Sequence, residues 1–180
     1  MNRSSVLRIT AAALMVIAGI AVIFPLVLAG APQRSLHVAG HGVDRADGAL
    51  VHSEQKTSNG LIRSSTEIVE LEGDLHGRVL YQVTTRIDSA SGTLRSTGRQ
   101  VYSGTVAGSE PVMLYDDRFV FEANLATGAD HGQVYLVRHL AGPAVRCVLE
   151  VTGTGKDGRD NPLFTYSGDC VFASSDAAAR

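Results

Sequence analysis

The chain is predicted to be an all-β protein, an antiparallel β-barrel of about eight strands, with a β-sandwich as the alternative and an N-terminal hydrophobic helix in front. Three observations carry this. After residue 60, short runs rich in Val, Thr, Tyr, Ile and Phe alternate with Gly, Ser, Asp and Asn clusters. One run has a clean period of two. No stretch of helical periodicity of useful length follows residue 31.

The hydrophobic segment comes first. Arg3 and Arg8 precede 23 uncharged residues, Ile9 to Ala31, mostly Ala, Val, Ile and Leu. Basic residues stay on the cytoplasmic side while the apolar run enters the bilayer, so the following chain is expected outside the cytoplasm, periplasmic or secreted. Ala29-Gly30-Ala31 offers a small-x-small cleavage pattern, with Pro25 to break the helix before it. Pro32 disfavours a cut after Ala31, whereas a cut after Ala29 avoids it. The run is also long enough to span a bilayer. Residues 1–31 are therefore a signal peptide or a membrane anchor, and the alternatives stay open. No Cys follows the run to accept a lipoprotein lipid.

The remaining residues suffice for one domain with its own core. Of the 16 Lys and Arg, Arg3 and Arg8 fall in the leader, leaving 14 against 18 acidic residues. Lys occurs only at 56 and 156, and no basic cluster is present. Nucleic-acid binding thus lacks its main driving force, phosphate neutralisation.

Residues 32–60 are polar, contain glycine and lack sustained periodicity. They are expected to form a lead-in or linker, with a short strand at most around Ala49 to His52. The barrel domain is expected over 61–173. Leu61–Leu71 is its first strand, turning at Glu72-Gly73-Asp74. In Arg78–Ile87, Val79, Tyr81, Val83, Thr85 and Ile87 share one face, with Arg78, Gln82, Thr84 and Arg86 opposite. Asp88 to Gly92 is a hairpin loop into Thr93–Ala107, and Gly108 to Pro111 turns into Val112–Leu125, interrupted at Asp116-Asp117. Gln133–His139, Val145–Thr152 and Phe164–Phe172 complete the set, and 174–180 is a flexible tail. So many consecutive hairpins must close on themselves or stack as two sheets, since otherwise an apolar face stays wet and two edges stay open.

Cys147 shares a face with Val145, Leu149 and Val151; Cys170 shares one with Phe164, Tyr166 and Phe172. Pairing these strands as a hairpin around 153–162 sets the two cysteines opposite each other, near bridging distance. In an oxidising compartment this predicts a structural disulfide. No C-x-x-C spacing points to a redox role.

Catalytic and metal signatures are sparse. His37 and His41 are four apart but have no third ligand nearby, so a solvated linker is the plainer reading. Asp157, Asp160 and Asn161 share a Gly-containing loop without the spacing or closing Glu of a calcium site. No G-x-S-x-G elbow occurs, and Glu67, Glu70, Asp116, Asp117 and Glu122 are read as solvent-facing. No metal, cofactor or catalytic residue is assigned. Polar residues mixed into apolar faces are more informative. Arg138 shares parity with Val134, Leu136 and Leu140, and Gln100 shares parity with Tyr102. A polar group inside a barrel is costly unless paired, so Arg138, Tyr81, Tyr102 and Gln100 are the candidate ligand-binding residues. The competing reading has a bulge turning Arg138 outward.

The stretch Val151-Thr152-Gly153-Thr154-Gly155-Lys156-Asp157, with Tyr166-Ser167-Gly168 and Phe172, resembles the Gly-Thr-Gly turn and glycine-plus-phenylalanine strand of allene oxide cyclase and dirigent-like barrels. Tyr102-Ser103-Gly104-Thr105-Val106 is similar to a strand of that group, and the resemblance spans roughly Leu94 to Phe172. It implies an eight-stranded barrel that binds a small apolar molecule, often within an oligomer. Lys156-Asp157 and a longer loop stand where the family has an aromatic and a second glycine step, so no active-site residue is carried over.

The expected function is binding of a small apolar ligand or a protein partner in the cell envelope. The alternatives are an isomerase or cyclase acting on a lipid-derived substrate, and a purely structural envelope protein.

Overall fold

A computed structural model describes residues 33–173. The hydrophobic segment and the 174–180 tail lie outside the described residues. Among those described, no helix is long and apolar enough to cross a membrane.

The described chain contains ten strands: β1 (Arg34–Asp44), β2 (Leu50–Thr57), β3 (Gly60–Gly73), β4 (Leu75–Asp88), β5 (Thr93–Val106), β6 (Val112–Asn124), β7 (Asp130–Leu136), β8 (Arg138–Ala141), β9 (Val145–Lys156) and β10 (Pro162–Phe172). A single 3-10 turn, Ala46–Gly48, separates β1 from β2. Eight strands form a closed antiparallel ring in the order β1, β10, β9, β7, β6, β5, β4, β3 and back to β1. This is an up-and-down barrel rather than a sandwich. The remaining two strands extend it: β2 continues the path of β1 along β3, and β8 continues that of β7 along β6.

The period-two reading of β4 holds. Val79, Tyr81 and Val83 are buried, while Leu80 and Gln82 face solvent. Cys147 and Cys170 are direct register partners on β9 and β10 and are joined by a disulfide, with their Cα atoms 4.1 Å apart. The interruption expected at Asp116-Asp117 is a bulge in β6. Gly98 pairs with Phe119 and Gln100 with Asp116, so two β6 residues face one on β5.

Residues 32–60 were expected as a polar linker, but they carry β1, which closes the barrel, and β2. The reason lies in what β1 faces. Its inward positions include Gly40 and Gly42, paired with Tyr166 and Phe164 of β10, whose rings fill the space a side chain would need. Outward, His37 meets Asp169 at 3.3 Å and His41 meets Glu72 at 3.1 Å. Leu36 and Val38 start an inward apolar alternation, but it stops at Gly40 and Gly42, with histidines outside, and is too short to read as a strand. In β2 every residue is exposed, so it has no buried face at all.

The β3–β4 corner locks onto β1. Gly73 takes φ of +108°, a conformation that L side chains rarely adopt. Asp74 then accepts a hydrogen bond from Ala39 N at 2.8 Å and donates its own N–H to Ala39 O at 3.1 Å. The Tyr166 hydroxyl accepts from Leu75 N at 2.7 Å and lies 3.1 Å from the carbonyls of Glu72 and Leu75, either of which takes its proton.

The disulfide end of the barrel is packed solid. Val38, Leu75, Tyr102, Val106, Val112, Leu114, Leu136, Cys147 and Cys170 are fully or almost fully buried there. A Cβ at Gly40 would collide with the Tyr166 hydroxyl and the Glu72 carbonyl. Gly40→Val is therefore expected to cost roughly 3 kcal/mol or more, or to prevent folding. Urea denaturation checks this; a midpoint unchanged from the parent would contradict the role assigned to Gly40.

Candidate functional site

Inward-facing residues of β3, β4, β5 and β6 fall into levels set by the strand register. Val69, Val79, Tyr102 and Leu114 form one apolar level of the packed floor. The next level is polar throughout: Glu67, Tyr81, Gln100 and Asp116 stand side by side. Above them come Ser65, Val83, Gly98 and Phe119, then Arg63, Thr85, Ser96 and Phe121, then Leu61, Ile87, Leu94 and Ala123. On these four strands the polar level marks the change from a filled lower half to an open upper half, and the cavity also reaches Val69, Leu71 and Val79 below it.

The upper half encloses a cavity of about 400 Å³. Its wall is mainly apolar, with Leu61, Val83, Ile87, Leu94, Phe119, Phe121, Val134, Val151 and Phe164 among the lining residues. Its polar lining includes Asp44, Arg63, Glu67, Tyr81, Thr85, Ser96, Gln100 and Asp130. This volume lies in the lower part of the range for sites that take small organic ligands.

The polar level is built in two parts. On one side Asp116, 1% exposed, is fully engaged. Its Oδ2 accepts from Gln100 Nε2 and from Tyr135 N, both at 2.8 Å, and its Oδ1 accepts from Arg118 N at 2.7 Å. The bonds to Arg118 and Tyr135 satisfy backbone donors at the β6 bulge, where main-chain pairing lapses between the β7 and β8 contacts. Asp116 is therefore structural, and its charge is met by hydrogen bonds.

On the other side the Tyr81 hydroxyl lies 2.6 Å from Asp44 Oδ2 and 2.7 Å from Glu67 Oε2. Ser65 Oγ donates to Glu67 Oε1. A phenol has one proton, so it donates to one carboxylate only; the second contact becomes a hydrogen bond when the other carboxyl is itself protonated. Burial, with the neighbouring Glu67 charge adding to it and the Tyr81 hydrogen bond opposing it, pushes Asp44 up to about 6. Burial and the two carboxylates push Tyr81 far above its ordinary value, so it stays a phenol. Asp44 Oδ1 is buried with no hydrogen-bond partner among the described residues. The Tyr81 ring also meets Phe119 edge-on at 5.9 Å, joining the polar level to the apolar wall.

The residues singled out in the sequence are placed as follows. Tyr81 and Gln100 line the cavity. Tyr102 lies one level below, fully buried, donating to Thr105 O at 2.5 Å. Arg138 is on the outer surface, its guanidinium 5.1 Å from the Tyr115 ring centre and 3.5 Å from Asp117 Oδ2. The parity that grouped Arg138 with Val134 and Leu136 breaks at Val137, whose N–H bonds to Tyr135 O at 2.7 Å, and the following strand faces the other way. Asp44, Glu67 and Asp116 were read as linker or solvent-facing positions. Glu67 shares parity with Leu61, Val69 and Leu71, and Asp116 with Val112 and Leu114, so the signal for their inward placement was present. Asp44 shares parity with Leu36 and Val38, but Gly40 and Gly42 interrupt the apolar pattern before it.

The loop with Asp157, Asp160 and Asn161 is held by its own bonds and by one from the 3-10 turn, Asp47 N donating to Asn161 Oδ1 at 3.4 Å. Asp157 accepts from Asn161 N, Arg159 N and Asn161 Nδ2 at 2.9, 2.8 and 3.1 Å, and these bonds hold its carboxyl below the usual range. Among the described residues no cluster of three or more His, Cys, Asp or Glu could hold a metal ion.

The Asp44 environment sets a pH dependence. Its folded pKa of about 6 lies above the ordinary aspartate value, so the folded state holds the proton more tightly. That contribution, on the order of 2–3 kcal/mol, is fully present below the unfolded pKa and is lost as pH rises through the folded one. Asn mimics the protonated acid. Asp44→Asn is therefore expected to be more stable than the parent near pH 8, with the gap closing below about pH 4. Thermal denaturation across that range checks it, and parallel pH profiles would contradict it.

Searches against protein-family models, curated proteins and solved structures found no match to the chain.

Proposed function

We propose that the protein is a non-catalytic binding barrel that holds a small, mostly apolar molecule in its open half. The observation that carries this is the cavity of about 400 Å³, whose wall is mainly apolar and whose base carries the Glu67, Tyr81 and Gln100 level. A barrel with only a structural role has no use for a void of this size, since unfilled apolar space costs stability. The Cys147–Cys170 bond supports work in an oxidising, extracytoplasmic compartment. The hydrophobic segment supplies the export route in this reading and, if retained, a membrane tether. A protein partner that presents or receives the ligand is compatible with it.

A second reading, an isomerase or cyclase acting on a lipid-derived substrate, draws on a different observation. Asp44, with its pKa of about 6 beside Tyr81, could move a proton at the cavity wall. Turnover of a bound substrate that Asp44→Asn abolishes would favour it over simple binding.

Nile red, which fluoresces in apolar surroundings, tests the binding reading. One saturable site per chain is expected. Leu94→Trp, which fills the cavity near its mouth, should weaken binding at least tenfold, while Leu80→Ser on the outer face leaves it unchanged. Non-saturable binding, or equal binding by Leu94→Trp, would overturn the proposal.

A further inference from the structure

The polar level at the base of the cavity carries two unengaged acceptor oxygens and an excess of acidic side chains. Gln100 is 5% exposed and lines the cavity. Its Nε2 is committed to Asp116 Oδ2 at 2.8 Å, and since a carboxylate can only accept, the orientation of the amide is settled. The amide oxygen accepts no hydrogen bond from any described residue. Asp44 Oδ1 lacks a partner as well.

The donors closest to these acceptors, the Tyr81 and Ser65 hydroxyls, are engaged, and among the described residues of the wall unengaged N–H and O–H groups remain only on Gln100 itself and, two levels higher, on Arg63 and the Thr85–Ser96 pair. Tyr81 and Ser65 donate to the Asp44–Glu67 pair. Thr85 and Ser96 bond to each other at 2.8 Å. Arg63 is held by Glu54 of β2 at 2.9 Å. Charge points the same way. Asp44, Glu67 and Asp130 line the cavity against Arg63 alone, and Glu54 already compensates Arg63.

We propose that the cavity selects apolar molecules carrying a hydrogen-bond donor, above all a primary amine, and discriminates against apolar carboxylic acids. This rests on the ligand-binding reading above and names the ligand class. An ammonium at the polar level donates to Gln100 Oε1 and faces the Asp44–Glu67 pair, while its chain lies along Val83, Phe119 and Leu94. A carboxylate in the same place meets the like charge of the Asp44–Glu67 pair in a low-dielectric wall, which costs far more than in water.

The test is competition for the Nile red site of the intact protein by decylamine, decanol and decanoate, near neutral pH and below micelle formation. These probes share one chain and differ in the head group. Decylamine is expected to displace Nile red at a concentration at least tenfold lower than decanoate, with decanol between them. Glu67→Gln and Gln100→Met should each narrow the gap between amine and acid. Decanoate competing as well as decylamine would overturn the class assignment while leaving the cavity reading intact. An amine preference unchanged in both variants would overturn the assignment to this polar level. Failure of Nile red itself to bind would remove the reading on which the proposal rests.

Discussion

The structure depends on the closure of the sheet by β1, which pairs with β10 along one edge and β3 along the other. An open sheet of these strands would expose two hydrogen-bonding edges and leave its apolar face wet. Closure is achieved by an exchange of volume: β1 gives up side chains at Gly40 and Gly42, and β10 supplies Tyr166 and Phe164 to fill the space. Tyr166 then reaches across to the backbone at Glu72 and Leu75, so one β10 residue packs on the closing strand and ties β10 to the tight β3–β4 corner. The Cys147–Cys170 bridge fastens the β9–β10 pair against which β1 lies.

Closure creates an interior whose two halves differ. At the disulfide end Tyr102, Leu75, Leu114 and Leu136 leave little space. Toward the other end the same strands present Phe119, Phe121, Leu94 and Ile87, only partly buried, around an unfilled volume. The polar level between the halves is costly to bury, and the two sides of the barrel handle that cost differently. Asp116 is satisfied by two backbone donors and an amide. The Asp44–Tyr81–Glu67 group is short of protons at neutral pH and leaves one carboxylate oxygen unpartnered. Polar groups that break local rules of burial without full compensation concentrate at functional sites, which is why this side of the level draws the functional reading.

Much of the fold was legible in the sequence because most strands bury one face. β4 shows this best, with Val79, Tyr81 and Val83 inside. The same alternation sets Cys147 opposite Cys170 in the sequence, as their register pairing shows. Legibility failed where the physics of alternation did not apply. β1 has glycine where the pattern needs an apolar residue, and β2 has no buried face. The candidate site was half legible. Tyr81 and Gln100 could be found by parity, whereas a backbone break at Val137 turns Arg138 outward, as the bulge reading had it and a strict count of two does not. Glu67 was passed over because a charged side chain on a strand is ordinarily solvated, although its parity with Leu61 and Leu71 placed it inside.

A packed base, an apolar chamber and an acceptor-rich seam between them describe a container more readily than a scaffold. The most direct measurement is mass spectrometry of the protein isolated from its own host under native conditions, followed by denaturation and identification of what is released. Release of a discrete small apolar molecule bearing an amine or other donor, at close to one per chain and absent from Leu94→Trp, is the result the container reading requires. A protein that carries nothing through several lipid-containing preparations, or carries the same molecules when the cavity is filled, would contradict it.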